Sequence, residues 1–196
     1  MAVGKNAVVP STMKTKLYYS TGIGYMVQAT AAGGGTHLVF RGNGPYDPDY
    51  AAGGQQPLGF DQMHALYSQH LVYAAKIEVW YACSQNMHLA ITASSDPSGP
   101  ATYQAATAQP RSRVEVNYNQ PSEHARYYSM FCRTADILGL DITDDNLMGS
   151  SSTTPNNPWY FHINTANTDI NNQTFSTLVR ITYYMEFRNP VTLAMS

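Results

Sequence analysis

The segment from residue 174 to residue 189 alternates between two sets of side chains over its whole length. One set consists of Phe175, Thr177, Val179, Ile181, Tyr183, Met185 and Phe187, and the other of Arg180, Thr182, Tyr184, Glu186 and Arg188. Successive side chains of a β-strand point to opposite faces, so this spacing predicts a strand with one face in a core. At about 3.3 Å per residue the strand is about 45 Å long, and few monomeric domains contain one of that length.

Seven further segments carry strand signals, separated by loops rich in Gly, Pro and Ser. They lie at 13–21, 36–42, 72–83, 86–94, 113–119, 124–134 and 159–165, and the eighth strand is at 174–188. Eight strands with long loops and little helix predict an all-β fold, an eight-stranded antiparallel jelly-roll sandwich with short helices in the inter-strand loops. We expect a single domain at 13–196 after a short N-terminal extension at 1–12.

The segment "GFDQMHALYSQHLVYAAKIEVWY", residues 59–81, changes its period in the middle. Its first half has apolar residues three to four apart, namely Phe60, Met63, Leu66 and Tyr67. This spacing predicts a helix packed on the sandwich. Its second half alternates, and we expect the core side to carry Tyr73, Ala75, Ile77, Val79 and Tyr81. The pattern therefore predicts a helix that runs directly into the third strand.

The composition favours a protein whose sides are covered by copies of itself. Only 12% of the residues are charged, whereas 43% are hydrophobic and 15 are Tyr. Interface cores are depleted in charge and enriched in aromatic residues, although a Tyr-rich monomeric β domain has the same composition. The net charge is −2 and no run of Lys or Arg occurs. No apolar segment has the length of a signal peptide core or a membrane span, so we expect no membrane partner.

Residues for catalysis or metal binding are scarce in the sequence. No nucleophile elbow, phosphate loop or zinc-protease motif occurs, so we expect no enzymatic activity and no cofactor. His64 and His70 are six apart, too far for one helix face, and the other histidines are scattered. Asp47 and Asp49 form a weak candidate calcium site in a loop, but a turn stabilised by Asp beside Pro48 is the favoured interpretation. We therefore predict no metal site.

Four blocks of the sequence resemble one protein family. They are "TMKTKLYYS" (12–20), "HLVFRGNGPYDPDY" (37–50), "QQPLGFDQMHALYSQHLVYAAKIEV" (55–79) and the terminal "WYFHI…VRITYYMEFRNP". In order and spacing they resemble the capsid proteins of small circular Rep-encoding single-stranded DNA viruses, which are circovirus-like. The resemblance implies a virion protein of which about 60 copies form a T=1 icosahedral shell around single-stranded DNA. A host receptor is implied too, and its identity is unknown.

The sequence departs from this family in the charge of its N-terminus. Such proteins commonly begin with a basic arm, but the first 35 residues here contain only Lys5, Lys14 and Lys16. Either the protein lacks an arm or this chain is trimmed. A shell of about 60 copies with a charge of −2 each has a formal charge of about −120, which is the wrong sign for condensing DNA.

One sheet face nevertheless collects positive charge. In a jelly roll the first, eighth, third and sixth strands share a sheet, and alternation places on its polar face Lys14, Lys16, Lys76, Arg180 and Arg188, against Glu78 and Glu186. With Lys5 these cations are the candidate nucleic-acid-binding residues. The alternative is a solvated face with cross-strand ion pairs. Candidate contacts between subunits are the tyrosines and tryptophan that alternation directs away from the core, Tyr18, Trp80, Tyr128 and Tyr184.

Two other functions remain open at this point. A coat protein of a satellite-like RNA virus would keep the shell and change its cargo. A jelly-roll carbohydrate-binding module would expose tyrosines to a sugar and remain a monomer or small oligomer.

Overall fold

The computed structural model describes residues 9–22, 25–29, 35–53, 55–83, 87–116, 126–167 and 173–192. Its strands are β1 (Thr12–Ser20), β2 (Tyr25–Ala29), β3 (His37–Arg41), β4 (Tyr67–Cys83), β5 (Met87–Ser94), β6 (Ser112–Glu115), β7 (Arg126–Arg133), β8 (Met148–Gly149), β9 (Tyr160–Asn167) and β10 (Gln173–Pro190). The helices are α1 (Phe60–His64), α2 (Tyr103–Thr107) and α3 (Thr134–Leu138), and a 3₁₀ turn covers Asp145–Leu147. The all-β prediction is confirmed.

Eight of these strands form two antiparallel sheets that pack face to face. The first sheet has the order β1-β10-β4-β7, and the second has the order β3-β9-β5-β6. This is the strand arrangement of a jelly roll, so the predicted fold is confirmed. Two short strands were not predicted: β2 pairs with the beginning of β10, and β8 pairs with β4.

The core lies between the inner faces of the two sheets. From the first sheet it contains Leu17, Tyr19, Ile77, Val79, Tyr81, Val179, Ile181, Tyr183, Met185 and Phe187, and from the second Phe40, Leu89, Ile91, Phe161 and Ile163. Burying each large side chain contributes about 1.5–3 kcal/mol to folding. The predicted alternation of β10 is confirmed from residue 177 to residue 187, because all its odd-numbered residues there are buried.

The helix predicted across residues 60–67 is shorter than expected. α1 ends at His64, and β4 already begins at Tyr67. The cause is tertiary pairing, because β10 extends far enough to place Pro190 opposite Tyr67. The backbone N–H of Val191 also donates to the carbonyl of Leu66 at 2.9 Å. Long-range sheet pairing therefore overrides the local helical spacing.

A β-bulge at Tyr73 changes which residues of β4 face the core. Tyr184 is opposite Ala74, whereas the next residue, Met185, is opposite Val72, so Tyr73 is the extra residue. Val72 is consequently fully buried, and the Tyr73 ring lies 6.4 Å from the Tyr184 ring on the other face. The expectation that Tyr73 enters the core is wrong, because simple alternation does not hold across a bulge.

A hydrogen-bonded link connects the two sheets through the hydroxyl of Thr134. The indole Nε1 of Trp159, just before β9, donates to the Thr134 Oγ1 at 3.1 Å. The same hydroxyl donates to the carbonyl of Val72 on β4 at 2.7 Å. Both Trp159 and Thr134 are fully buried. The link satisfies three buried polar groups with one hydroxyl.

We expect Thr134→Val to lower the free energy of unfolding by about 2 kcal/mol, because it leaves the Trp159 N–H and the Val72 carbonyl unpaired in the core. Thr134→Ser keeps the hydroxyl and is the matched control, with an expected loss of less than half that amount. Urea unfolding followed by tryptophan fluorescence measures both. Equal losses for Val and Ser would show that the hydrogen bonds contribute nothing.

Candidate nucleic-acid interface

The outer face of the first sheet carries the predicted cations that the structure describes. Strand pairing places there Lys14, Lys16, Lys76, Arg180 and Arg188. The same face carries Arg133, which is opposite Ala74, and two carboxylates, Glu78 and Glu186, so its net charge is +4 although the whole chain is acidic. Lys5 lies outside the described residues.

Glu78 is the centre of a hydrogen-bonded network on this face. Its Oε1 accepts from Lys76 Nζ at 2.9 Å and from the Tyr127 hydroxyl at 2.7 Å, and its Oε2 accepts from Arg180 Nε at 2.9 Å. Burial opposes ionisation of this carboxyl, but the hydrogen bonds from Lys76, Tyr127 and Arg180 outweigh it and lower the pKa of Glu78 to about 2. The network therefore holds two cations in fixed positions at neutral pH.

Glu186 shares its charge between two further cations. Its Oε1 accepts from Arg188 Nε at 2.7 Å, and Lys14 Nζ lies 3.7 Å from its Oε2. Lys16 forms no ion pair within the described residues; its Nζ lies 5.0 Å from the centre of the Tyr184 ring. Exposed ion pairs are weak, so the exposed Lys14 and Lys16 can contact an external anion at little cost.

Aromatic rings lie between the cations on the same face. The exposed fractions are 55% for Tyr18, 46% for Tyr127 and 52% for Phe131. The Arg180 guanidinium lies 5.1 Å from the Trp80 ring, and that ring is 5.1 Å from Tyr127. The structure thus brings Tyr18, Trp80 and Tyr184, predicted as contacts between subunits, onto the face that carries the candidate nucleic-acid-binding cations.

Tyr128 does not belong to this face, and its predicted exposure is wrong. It is opposite Val79, its ring stacks 5.6 Å from that of Tyr81, and only 8% of it is exposed. Its neighbour Tyr127 points outward instead. The pairing of β7 with β4 fixes this parity, and the inward position of Cys132 agrees with it. In "YYSMF" Tyr127 and Phe131 are four residues apart, so strand alternation places them on the same face and could have identified both.

Asp47 and Asp49 are both engaged by protein groups. Asp47 Oδ2 lies 2.7 Å from the Arg41 guanidinium, and Asp49 Oδ1 accepts the backbone N–H groups of Ala51 and Ala52 at 3.0 Å. These are the contacts of an ion pair and a turn. No group of three or more potential metal ligands occurs within the described residues.

His64 and His70 form a buried pair, although their spacing is too large for one helix face. They meet because α1 ends at His64 and the chain then turns into β4. The nitrogens His64 Nε2 and His70 Nδ1 are 2.8 Å apart, and His64 Nδ1 is 3.1 Å from the carbonyl of Tyr67. A carbonyl only accepts, so we assign the proton of His64 to Nδ1, which makes His70 Nδ1 the donor to His64 Nε2. Burial and the charge of His64 lower the pKa of His70 to about 3.

A second pair, His37 and His162, lies on the outer face of the second sheet. His37 Nε2 is 2.9 Å from His162 Nδ1, and His162 Nε2 is 2.9 Å from Ser94 Oγ. The Ser94 hydroxyl donates to the carbonyl of Asp96 at 3.0 Å, so we assign the proton between Ser94 and His162 to His162. In an activated nucleophilic Ser the hydroxyl donates its proton to the His, whereas here His162 donates to the Ser94 hydroxyl. Burial and the charge of His37 lower the pKa of His162 to about 4.

These pairs predict that acid destabilises the fold. His70 and His162 are fully buried and neutral in the folded chain, whereas the unfolded chain binds their protons near pH 6.5. Stability should therefore fall as the pH drops below about 6.5, until about pH 4 for His162 and about pH 3 for His70. At pH 5 each residue should cost about 2 kcal/mol relative to pH 7.5. Asp61 near His64 and Asp96 near His162 oppose this effect in part.

Urea unfolding at pH 7.5 and pH 5 measures the acid effect. In His70→Asn the side-chain amide can still donate to His64 and does not titrate, so about half of the pH dependence should disappear. An unchanged pH dependence in this variant would contradict the assignment to His70.

Two solved viral structures resemble the fold over nearly the whole chain. The structure of tobacco necrosis virus has a TM-score of 0.53 and 13% identity, covering 98% of this chain and 89% of that chain. The semi-empty virus-like particle of the giant freshwater prawn Macrobrachium rosenbergii nodavirus has a TM-score of 0.51 and 10% identity, covering 96% of this chain and 100% of that chain. The chain therefore has the jelly-roll fold of these two viral structures. No family model and no curated protein matches its sequence.

The described part of the chain contains no helix that is long and apolar enough to cross a membrane.

Proposed function

We propose that the chain is a viral coat protein that self-assembles into a closed icosahedral shell around a single-stranded nucleic acid. The observation that carries this proposal is the jelly roll of two antiparallel sheets, in the orders β1-β10-β4-β7 and β3-β9-β5-β6, together with its structural similarity to the two viral structures over 96–98% of this chain. The charge-poor composition supports extensive contact between copies. The protein would accordingly reside in the virion.

The outer face of the first sheet is the proposed contact with the cargo. Its net charge of +4 opposes the acidity of the rest of the chain, and phosphate contacts by Lys and Arg dominate nucleic-acid affinity. Tyr18, Tyr127 and Phe131 offer exposed rings between the cations. Unpaired bases stack on such rings with about 1–3 kcal/mol each, and this favours single strands over duplexes. We therefore assign the aromatic residues of this face to stacking as well as to contacts between copies.

The chemistry of the cargo is proposed as DNA, on the sequence resemblance to circovirus-like capsid proteins. The solved neighbours belong to RNA viruses, but at 10–13% identity they bear on the fold and not on the cargo. RNA of a satellite-like virus is the second candidate. Digestion of material extracted from particles with DNase or RNase distinguishes the two.

Electron microscopy and light scattering of the purified chain test self-assembly. We expect closed particles of uniform size, built from about 60 copies if the shell is the smallest icosahedral one. A 21.6 kDa monomer under all conditions of salt and pH would contradict the proposal. Stabilisation of such a monomer by a saccharide would favour the carbohydrate-binding alternative.

We expect Lys14→Glu combined with Lys16→Glu to reduce the nucleic acid in particles to about half or less, because the net charge of the cargo face falls by about 240 over about 60 copies. The ratio of absorbance at 260 and 280 nm measures the content. Lys14→Gln with Lys16→Gln removes half as much charge and should give an intermediate value. Unchanged content in folded, assembled particles would exclude this face as the cargo contact.

A further inference from the structure

A groove opens at the side of the sandwich where β6 and β7 end their respective sheets. Its volume is about 470 Å³. The walls are formed by the beginning of β6, the end of β7 and α3, with an apolar part that includes Met130, Phe131 and Ile137. On the side away from β4, β7 pairs with no other strand of the described residues, so the groove borders an open sheet edge.

Two arginines line this groove without a carboxylate partner. Arg111 and Arg133 are both exposed, and neither forms an ion pair within the described residues. Within the described residues, Arg126 on the same strand as Arg133 forms an ion pair with Glu115 at 4.0 Å. Asp136 also lines the groove, which leaves the lining with a charge of +1. Exposed arginines beside an apolar wall can bind the carboxylates of an acidic partner, which become desolvated when the partner covers them.

The loop after α3 has the complementary composition. Residues 134–179 contain no Lys or Arg, and Asp141, Asp144 and Asp145 follow one another within "DITDD". Asp141 Oδ1 accepts from the backbone N–H and the hydroxyl of Thr143 at 2.9 and 2.8 Å, which holds this exposed carboxylate in place. Ile142 is half-buried between the acids. The loop therefore presents fixed carboxylates beside an apolar side chain.

We propose that the groove of Arg111 and Arg133 receives the loop 141–145 of a second copy of this chain. Carboxylates would face the two guanidinium groups, and Ile142 would face the apolar wall of Met130 and Ile137. The groove and the loop are different surfaces, so the contact between two copies is heterologous. Heterologous contacts generate closed rings when the rotation that relates successive copies adds up to a full turn. The contact thus supplies a rotational joint of a shell, and the inference rests on the proposed self-assembly.

Charge reversal tests the contact in chain that has been freed of nucleic acid with nuclease. The variants are Arg111→Glu with Arg133→Glu, Asp141→Arg with Asp145→Arg, and all four substitutions together. We expect each pair to raise the protein concentration needed for half-assembly by at least about 10-fold, because like charges then meet. The fourfold variant exchanges the two signs, and its assembly should return to within about 3-fold of the unmodified chain.

Two controls separate this contact from other effects. Asp141→Asn with Asp145→Asn keeps an acceptor for the turn at Thr143, and we expect a smaller loss of assembly than with Arg. Gln104→Glu changes the charge of an exposed residue on α2, outside the groove and outside the outer face of the first sheet, and should leave assembly of empty particles unaltered. Thermal unfolding of every variant confirms that it is folded.

The possible results are distinct. Normal assembly of the arginine variant, or a fourfold variant that assembles no better than either pair, overturns the inference while the coat-protein proposal stands. An arginine variant that assembles normally but packages less nucleic acid would assign the groove to the cargo and overturn the contact between copies. Absence of particles from the unmodified chain would overturn both proposals.

Discussion

The long antiparallel pairing of β4 with β10 is the constraint on which the other features depend. It runs from the pair Phe175 and Cys83 to the pair Pro190 and Tyr67, and β1 and β7 pair with its two outer sides. The single bulge at Tyr73 fixes its register, since a slip by one residue would exchange core and surface side chains along the whole sheet. The same pairing sets which cations and rings share the outer face.

Much of the fold could be predicted from the sequence because β10 alternates without interruption and Gly- and Pro-rich loops separate most strands. The features of the fold that the sequence did not predict have a common cause. The start of β4 at Tyr67, the bulge at Tyr73 and the short strand β8 all depend on partners distant in sequence. Local spacing of three to four residues favoured a longer helix, and only the far end of β10 provides the competing hydrogen bonds.

The candidate site was predictable where the alternation of odd and even positions along a strand alone decides which sheet face a residue occupies. The cations of β1, β4 and β10 lie on one face because those strands alternate regularly on either side of the bulge. Parity failed for Tyr128, whose strand has two adjacent tyrosines and no outward signal of its own. The pair of His37 and His162 and the arginine groove could not be predicted, because each joins elements that are separated in sequence, such as β3 with β9 and β6 with β7. The pair of His64 and His70 depends on the exact end of α1, which local spacing placed too late.

Thr134 connects the interior of the sandwich to the surface proposed for contact between copies. Its hydroxyl joins Trp159 to β4, and it is also the first residue of α3, which contributes Asp136 and Ile137 to the groove. Loosening this residue would therefore displace a wall of the joint before the whole domain unfolds. Substitutions there are expected to give a conditional phenotype, with particles that form in the cold and fail to close at a temperature at which the isolated subunit is still folded.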